Sequence, residues 1–184
     1  MSAVEVIGFA LTLLAIGLAT RGNILTWPLQ IAASLLYVYL FFRVNLFGES
    51  ALQLIYAVIA GYGWLNWRKL KTPNSTPPIS SLSLKEGLVL NSIGVLLLIC
   101  VAQLQVQFLP TDVPYLDSGV FIFGLLAQWM QAKKKIENWL YWIVLDFISA
   151  GIYWYKDLHL TALLYLILTC MAVWGWRQWR TIKL

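Results

Sequence analysis

Seven apolar runs, each closed by a short polar break, set the rhythm of the chain. They are Val4 to Ala19, Leu25 to Phe42, Ser50 to Trp67, Gly87 to Val106, Ser118 to Met130, Trp139 to Tyr155 and Leu160 to Trp176. A helix needs about 20 apolar residues, with a range of roughly 17 to 25, to cross a bilayer, so the pattern predicts seven transmembrane helices, of which the fifth is the shortest. The breaks TRGN, FFRVNLFGES and WYKDLH have turn chemistry or charge. One connection is longer, Arg68 to Lys85, and its TPNSTPPISS composition predicts an extended or disordered linker.

The sixth run departs from a plain apolar helix. Trp139, Trp142, Asp146, Ser149 and Tyr153 follow one another at steps of three and four, so at about 100° per residue they form one stripe. A helix in lipid has no reason to align a carboxylate, a hydroxyl and three aromatic rings unless that side faces protein or water. The stripe is therefore expected to be one wall of a binding site.

Composition agrees with the membrane reading. Of 184 residues, 60% are hydrophobic and 11% charged, and the mean hydropathy is +0.74; a soluble domain carries roughly 25% charged residues. The first run holds Glu5 and no early Lys or Arg, so it lacks the basic start of a secretory signal and is expected to remain in the protein. Cys100 and Cys170 fall inside apolar runs, which predicts small buried packing residues without a disulfide.

Charge then fixes an orientation. With seven spans, eleven of the thirteen Lys and Arg fall on one side, among them Arg21, Arg68, Lys133 to Lys135, Arg177 and Arg180, and only Arg43 and Lys156 on the other. By the positive-inside rule the N-terminus is expected outside and the C-terminus in the cytosol. The same distribution assigns the net charge of +5 to lipid orientation and not to nucleic acid. Lys133 to Lys135 are expected to mark topology and contact anionic lipid.

A weak internal repeat is also visible. Trp27, Ser34 and Tyr37 of the second run match Trp142, Ser149 and Ile152 or Tyr153 of the sixth, and Gly63, Trp64 and Trp67 match Gly175, Trp176 and Trp179. Two three-helix units joined by one linking span come out in the same orientation, a parallel repeat. The expected organisation is residues 1–70 as the first unit, 71–110 as cytosolic linker and connecting helix, and 111–184 as the second unit.

Asp146 carries the strongest chemical signal. A carboxylate at a helix centre costs about 2.5 to 3.5 kcal/mol on insertion scales, and no Lys or Arg lies within a span to neutralise it. The readings that stand open are a cationic or hydroxyl-bearing ligand, satisfaction by Trp, Tyr and Ser donors of neighbouring helices, or a protonated acid. Trp142, one turn from Asp146, and Trp139, one turn further, could grip a flat cation through ring faces; Trp139 lies where belt tryptophans belong, Trp142 deeper. Gln30 and Tyr37 of the second run, with Trp27 and Ser34, Gln53, Tyr56 and Trp64 of the third, Gln128 of the fifth, and Thr161, Tyr165 and Thr169 of the seventh make a cavity plausible together, although singly each Ser or Thr is more often a packing or backbone-bonding residue and each Gln more often interhelical glue. No phosphate loop, no His and Cys cluster and no paired carboxylate suggests ATP hydrolysis, a metal, a cofactor or acid-base catalysis, so no enzyme activity is expected.

The run Q-x5-K-K-x-E-N-W-x-x-W-I-x-x-D, from Gln128 through Asn138, Trp139 and Trp142 to Asp146, with the closing GWRQW, resembles the PnuC family of bacterial vitamin transporters. The first half agrees through N-x3-WP at Asn23 to Pro28 and YGWLNW at Tyr62 to Trp67. The resemblance implies a three plus one plus three fold like that of the SWEET transporters, a homotrimer in the bacterial inner membrane, and uptake of nicotinamide riboside by facilitated diffusion with cytosolic phosphorylation trapping the product. It further implies Gln128, Asn138, Trp139, Trp142 and Asp146 as substrate contacts, with Tyr165 and Trp176. The residues themselves add Gln30, Tyr37 and Tyr153. The second run reads WPLQ where many members have a glycine after the proline, and relatives of this family take thiamine or riboflavin, so the vitamin stays open. A flat cationic ring, as in nicotinamide riboside or thiamine, suits an acid among aromatics better than neutral riboflavin does. The competing class is a non-transporting membrane sensor or structural subunit in which the stripe only glues helices.

Overall fold

The computed structural model describes residues 3–43, 47–69, 79–108, 112–157 and 159–183. Seven helices are described: α1 (Ala3–Thr20), α2 (Thr26–Arg43), α3 (Phe47–Lys69), α4 (Leu84–Phe108), α5 (Pro114–Ala132), α6 (Asn138–Tyr155) and α7 (His159–Lys183). Each expected run is a helix. α5 is longer than its apolar core, because Pro114 suits a first helical turn and the helix extends past Met130 to Ala132.

Neighbour follows neighbour around a closed ring. α1 packs on α2, α2 on α3, α3 on α5, α5 on α6, α6 on α7, and α7 returns to α1. α4 stands outside this ring, packed mainly on α5 and bonded to α6 by a side chain. It is held there by Tyr141 Oη donating to Asn91 Oδ1 (3.0 Å) and Gln103 Nε2 donating to Tyr115 Oη (2.8 Å). The ring is inside-out relative to a soluble bundle: Leu35, Leu54, Val58, Val144, Phe147 and Leu163 are exposed, whereas Gln128, Gln131, Asp146 and Ser149 are buried. An exterior of that kind suits hydrocarbon. Among the described residues α4 is the one helix both long and apolar enough to qualify as a span by composition. α1 is apolar but shorter over Val6–Thr20, and polar groups turned inward lower the hydropathy of the others.

One end of the ring is built from two matching corners. After α1, Gly22 takes a left-handed conformation (φ 64°), with Gly22 N donating to Ala19 O and Asn23 N to Leu18 O. After α5, Lys134 does the same (φ 54°), with Lys134 N donating to Gln131 O and Lys135 N to Met130 O. Both are Schellman endings. Five residues beyond each left-handed residue comes a tryptophan, Trp27 or Trp139. Trp27 lies against Gly63, where an added Cβ would fall 2.5 Å from its ring, and Trp139 lies against Gly175 at 2.7 Å. The matched positions Gly22 and Lys134, Trp27 and Trp139, Gly63 and Gly175, Trp67 and Trp179 are all 112 apart. This corrects the register expected for the second and sixth runs: the counterpart of Trp27 is Trp139, not Trp142, because each of these two rings fills a glycine seat.

The corners are cross-tied. Trp67 Nε1 and Asn66 Nδ2 both donate to Ala132 O, at 3.2 and 2.9 Å, and Trp179 Nε1 donates to Ala19 O at 2.9 Å. Trp27, Trp67, Trp179 and Trp139 form a chain of ring contacts, with centroids 5.1, 6.1 and 5.5 Å apart in turn, and all four are buried. Trp139 is thus a core residue of this plug and not a belt tryptophan.

Three further expectations need correction. Lys134 is 1% exposed, with its ammonium 4.3 Å from the Trp67 ring centroid, so it does not meet lipid. Its neighbours also have protein partners, Lys133 over Tyr62 and Lys135 on Ser81 O. The linker expected over Arg68 to Lys85 falls partly outside the described residues, at 70–78, but residues 79–83 are no free linker. Ser80 N donates to Lys134 O, Ile136 N donates to Ser80 O, and Ile79 is buried against the tryptophan plug. Cys100 and Cys170 are free but exposed, on outward faces of α4 and α7, so they are not buried packing residues.

Candidate functional site

Above the tryptophan plug the ring encloses a cavity of about 420 Å³, within the range of small-molecule sites. Its walls come from α1 (Phe9, Thr12, Leu13, Ile16), α2 (Gln30, Ser34, Tyr37, Phe41), α3 (Gln53, Tyr56), α5 (Gln128, Gln131), α6 (Trp139, Trp142, Asp146, Tyr153) and α7 (Thr161, Leu164, Tyr165, Leu168). The stripe on the sixth run does face inward: helical periodicity carries Trp139, Trp142, Asp146 and Tyr153 onto one side of α6, and the ring turns that side to the cavity.

Asp146 is 7% exposed and makes no hydrogen bond or ion pair to another described residue. The Trp, Tyr and Ser donors that could have satisfied it are not bonded to it. Of the readings open for this acid, satisfaction by neighbouring side-chain donors is therefore removed. Tyr153 and Tyr165 stack at the α6–α7 side, centroids 5.1 Å apart and 21° between planes, and present flat apolar area next to the acid. Trp142 adds a half-buried ring.

The α2–α5 side is made of amides. Gln128 Nε2 donates to Gln30 Oε1 at 2.6 Å, and Gln30 Nε2 donates to Thr26 Oγ1 at 3.0 Å. Two buried donors of the lining, Gln131 Nε2 and Trp139 Nε1, have no hydrogen-bond partner among the described residues. Buried polar groups are normally paired, and these two are exceptions at the cavity wall.

The structure therefore brings Gln30, Tyr37, Gln128, Trp139, Trp142, Asp146, Tyr153 and Tyr165 around one space. Asn138 and Trp176 are not in the lining. Asn138 is fully buried in the α5–α6 corner, its Nδ2 donating to Lys135 O at 2.6 Å. Trp176 packs beside the plug under the Arg180 guanidinium, 4.9 Å from the ring centroid. Gln131 escaped sequence reasoning because it adjoins the lysines and looks interfacial; its spacing of three from Gln128 was the available signal. The α1 residues Phe9, Leu13 and Ile16 gave no signal, since an apolar residue facing a cavity is indistinguishable from one facing lipid. No group of three His, Cys, Asp or Glu among the described residues could hold a metal.

Comparison with known proteins gives the family and the fold. The nicotinamide mononucleotide transporter family matches residues 2–181. The nicotinamide riboside transporter PnuC of Escherichia coli (strain K12) is 28% identical over 97% of this chain and 85% of its own length. The riboflavin/roseoflavin transporter RibM of Streptomyces davaonensis is 24% identical over 95% of this chain and 83% of its own. The crystal structure of the vitamin B3 transporter PnuC superposes with a TM-score of 0.77 at 21% identity, covering 98% of this chain and 81% of that one. With the family matched along nearly its whole length, the chain belongs to the nicotinamide mononucleotide transporter family and is a membrane transporter, not an enzyme.

Proposed function

We propose that the protein takes up nicotinamide riboside by facilitated diffusion, with phosphorylation in the cytosol trapping the product. The observation that carries the substrate is the unpartnered Asp146 among Trp142, Tyr153 and Tyr165 in a cavity of about 420 Å³. A pyridinium ring is flat and cationic, which matches aromatic faces beside a carboxylate, and a ribose offers hydroxyls to amides such as Gln30 and Gln128. Trp139, through its free Nε1, and Tyr37 complete the contacts, while Asn138 and Trp176 act behind the lining. Thiamine shares the cationic ring and is the second reading; riboflavin is neutral, and the likeness to RibM is what keeps it in the comparison.

The reading includes an arrangement of two parallel three-helix units, residues 1–70 and 111–184, joined by residues 71–110 in a SWEET-like way. The closed ring and the corners matched at 112 residues support it. Transport would then be rocking of one unit against the other about the central cavity. Placement in the bacterial inner membrane, with the N-terminus outside and the C-terminus cytosolic, is supported by the thirteen Lys and Arg, eleven of which fall on one side. Assembly as a homotrimer is implied by the family resemblance.

Purified protein in liposomes, offered labelled nicotinamide riboside, thiamine and riboflavin without any ion gradient, tests the proposal. Nicotinamide riboside should equilibrate across the bilayer, unaffected by ionophores. Uptake of thiamine or riboflavin alone would replace the substrate, and a requirement for an ion gradient would refute facilitated diffusion.

A further inference from the structure

The amides of the cavity form a directed relay that decides what the cavity offers a ligand. Thr26 is fully buried, and its hydroxyl donates to Ala15 O at 2.8 Å. A hydroxyl has one proton, so toward Gln30 it can only accept. Gln30 must therefore turn its Nε2 to Thr26 (3.0 Å), which leaves its Oε1 facing Gln128. Gln128 must answer with Nε2, and does so at 2.6 Å. A glutamine alone could present either end of its amide. Here a backbone carbonyl on α1 sets the orientation through two side chains, and Gln128 is left with Oε1, an acceptor, for the cavity. Three positions further along the same face of α5, Gln131 is 4% exposed and its Nε2 is a donor without a partner among the described residues.

We propose that Gln128 and Gln131 are an acceptor and donor pair that reads a primary carboxamide, and that Thr26 is the positioning residue that makes the site reject the matching carboxylate. The ligand's NH2 donates to Gln128 Oε1, and its carbonyl oxygen accepts from Gln131 Nε2. A carboxylate in that place has two acceptor oxygens and no donor. One of them would confront Gln128 Oε1, which cannot turn away without breaking the bonds to Gln30 and onward to Thr26, and its charge would share the cavity with Asp146. The assignment rests on the nicotinamide riboside reading above and adds to it which groups recognise the carboxamide and what holds them.

The test is binding to the full chain in lipid nanodiscs by calorimetry, with nicotinamide riboside, nicotinic acid riboside and the pyridinium riboside that lacks the substituent. The parent should prefer the amide over the acid by about 100-fold or more, since one mispaired buried group already costs roughly tenfold and the acid adds a charge. Thr26→Val keeps the shape and removes the hydroxyl; it should cut the preference to about tenfold, chiefly by gain of affinity for the acid, and Thr26→Ser should restore it. Gln131→Met, which leaves the relay intact, should weaken nicotinamide riboside about tenfold and leave the unsubstituted pyridinium riboside unchanged. If the parent binds the amide and the acid alike, or if Thr26→Val and Gln131→Met both retain the parent's ratios, the carboxamide assignment falls while the substrate reading stands. If the parent binds none of the three ribosides, both fall together.

Discussion

The seat of Trp139 on Gly175 links the stability of the plug to the shape of the cavity, and Gly175→Ala separates the two. The added methyl would lie 2.7 Å from Cδ2, Cε3 and Cζ3 of the indole, where ordinary contact begins at 3.4 Å, so the ring must retreat by about 0.7 Å. Trp139 is 2% exposed and has Trp179 edge-on behind it at 5.5 Å, itself tethered to Ala19 O. The open direction for the ring is the cavity it lines. Overpacking of this sort costs about 1 to 3 kcal/mol, against which replacing a helical glycine by alanine returns up to about 1 kcal/mol. The net of roughly 1 to 2 kcal/mol should lower Tm by about 2 to 8 °C in a chain of this size, and the displaced ring should weaken substrate about tenfold. Gly63→Ala meets Trp27 at 2.5 Å and should destabilise as much, yet Trp27 is outside the lining, so affinity should hold. Gly151→Ala, with nothing within 4 Å, should leave both unchanged or raise Tm. Thermal unfolding and calorimetric binding of the three variants decide the matter. A Gly175→Ala protein with the parent's Tm and affinity would refute the seat, as would a loss of affinity in Gly63→Ala equal to that in Gly175→Ala.

Other residues give independent tests. Asp146→Asn should weaken a cationic substrate by about tenfold or more without lowering Tm, and should leave the neutral dihydronicotinamide riboside nearly unaffected; equal loss for both ligands would remove the electrostatic role. Burial holds the Lys134 ammonium down to about 8 from 10.5. Between those values the unfolded chain binds more protons than the folded one, so stability should rise with pH from about 8 to about 10.5 and be flat below, and Lys134→Met should abolish the slope. Ile79→Ala removes a side chain buried against the plug and should cost about 2 kcal/mol in unfolding, with faster amide exchange at Ile136, whose N–H is bonded to Ser80 O.

The helices were legible because run length near that of a bilayer is a coarse and strong signal, and the α6 wall was legible because a carboxylate has no other reason to sit in such a run. The α1 lining was not legible, and neither were Gln131 and Lys134, which sit at a helix end among lysines. In lipid the outer face of a helix and its packing face are both apolar, so periodicity assigns residues to a stripe but does not say which stripe looks inward. Charge misleads at the ends for a related reason. Lys134 counts toward topology exactly as Lys133 does in a sum of charges, yet one is buried over Trp67 and the other is not. The strap formed by Ile79 and Ser80 depends on pairing with a turn more than fifty residues away, and nothing local to a Pro and Ser segment announces that.

The positions matched at 112 residues divide into two kinds, and the division bears on how such a cavity can hold its ligand. Where they build the frame they agree: a left-handed helix ending, an indole, a glycine seat and a second indole that donates across the ring. Where they line the cavity they differ: Gln30 stands opposite Trp142, Ser34 opposite Asp146, and Gln53 opposite Tyr165. Under the proposed rocking of two units, a repeated frame would let them tilt against each other through equivalent contacts. The walls then supply the difference. One side offers charge and ring faces and the other amides and hydroxyls, which suits a ligand whose two ends differ in the same sense, a flat cation joined to a polyol. On the proposed function, the chemistry of the walls would fix its orientation, and the likeness of the frame would govern its passage.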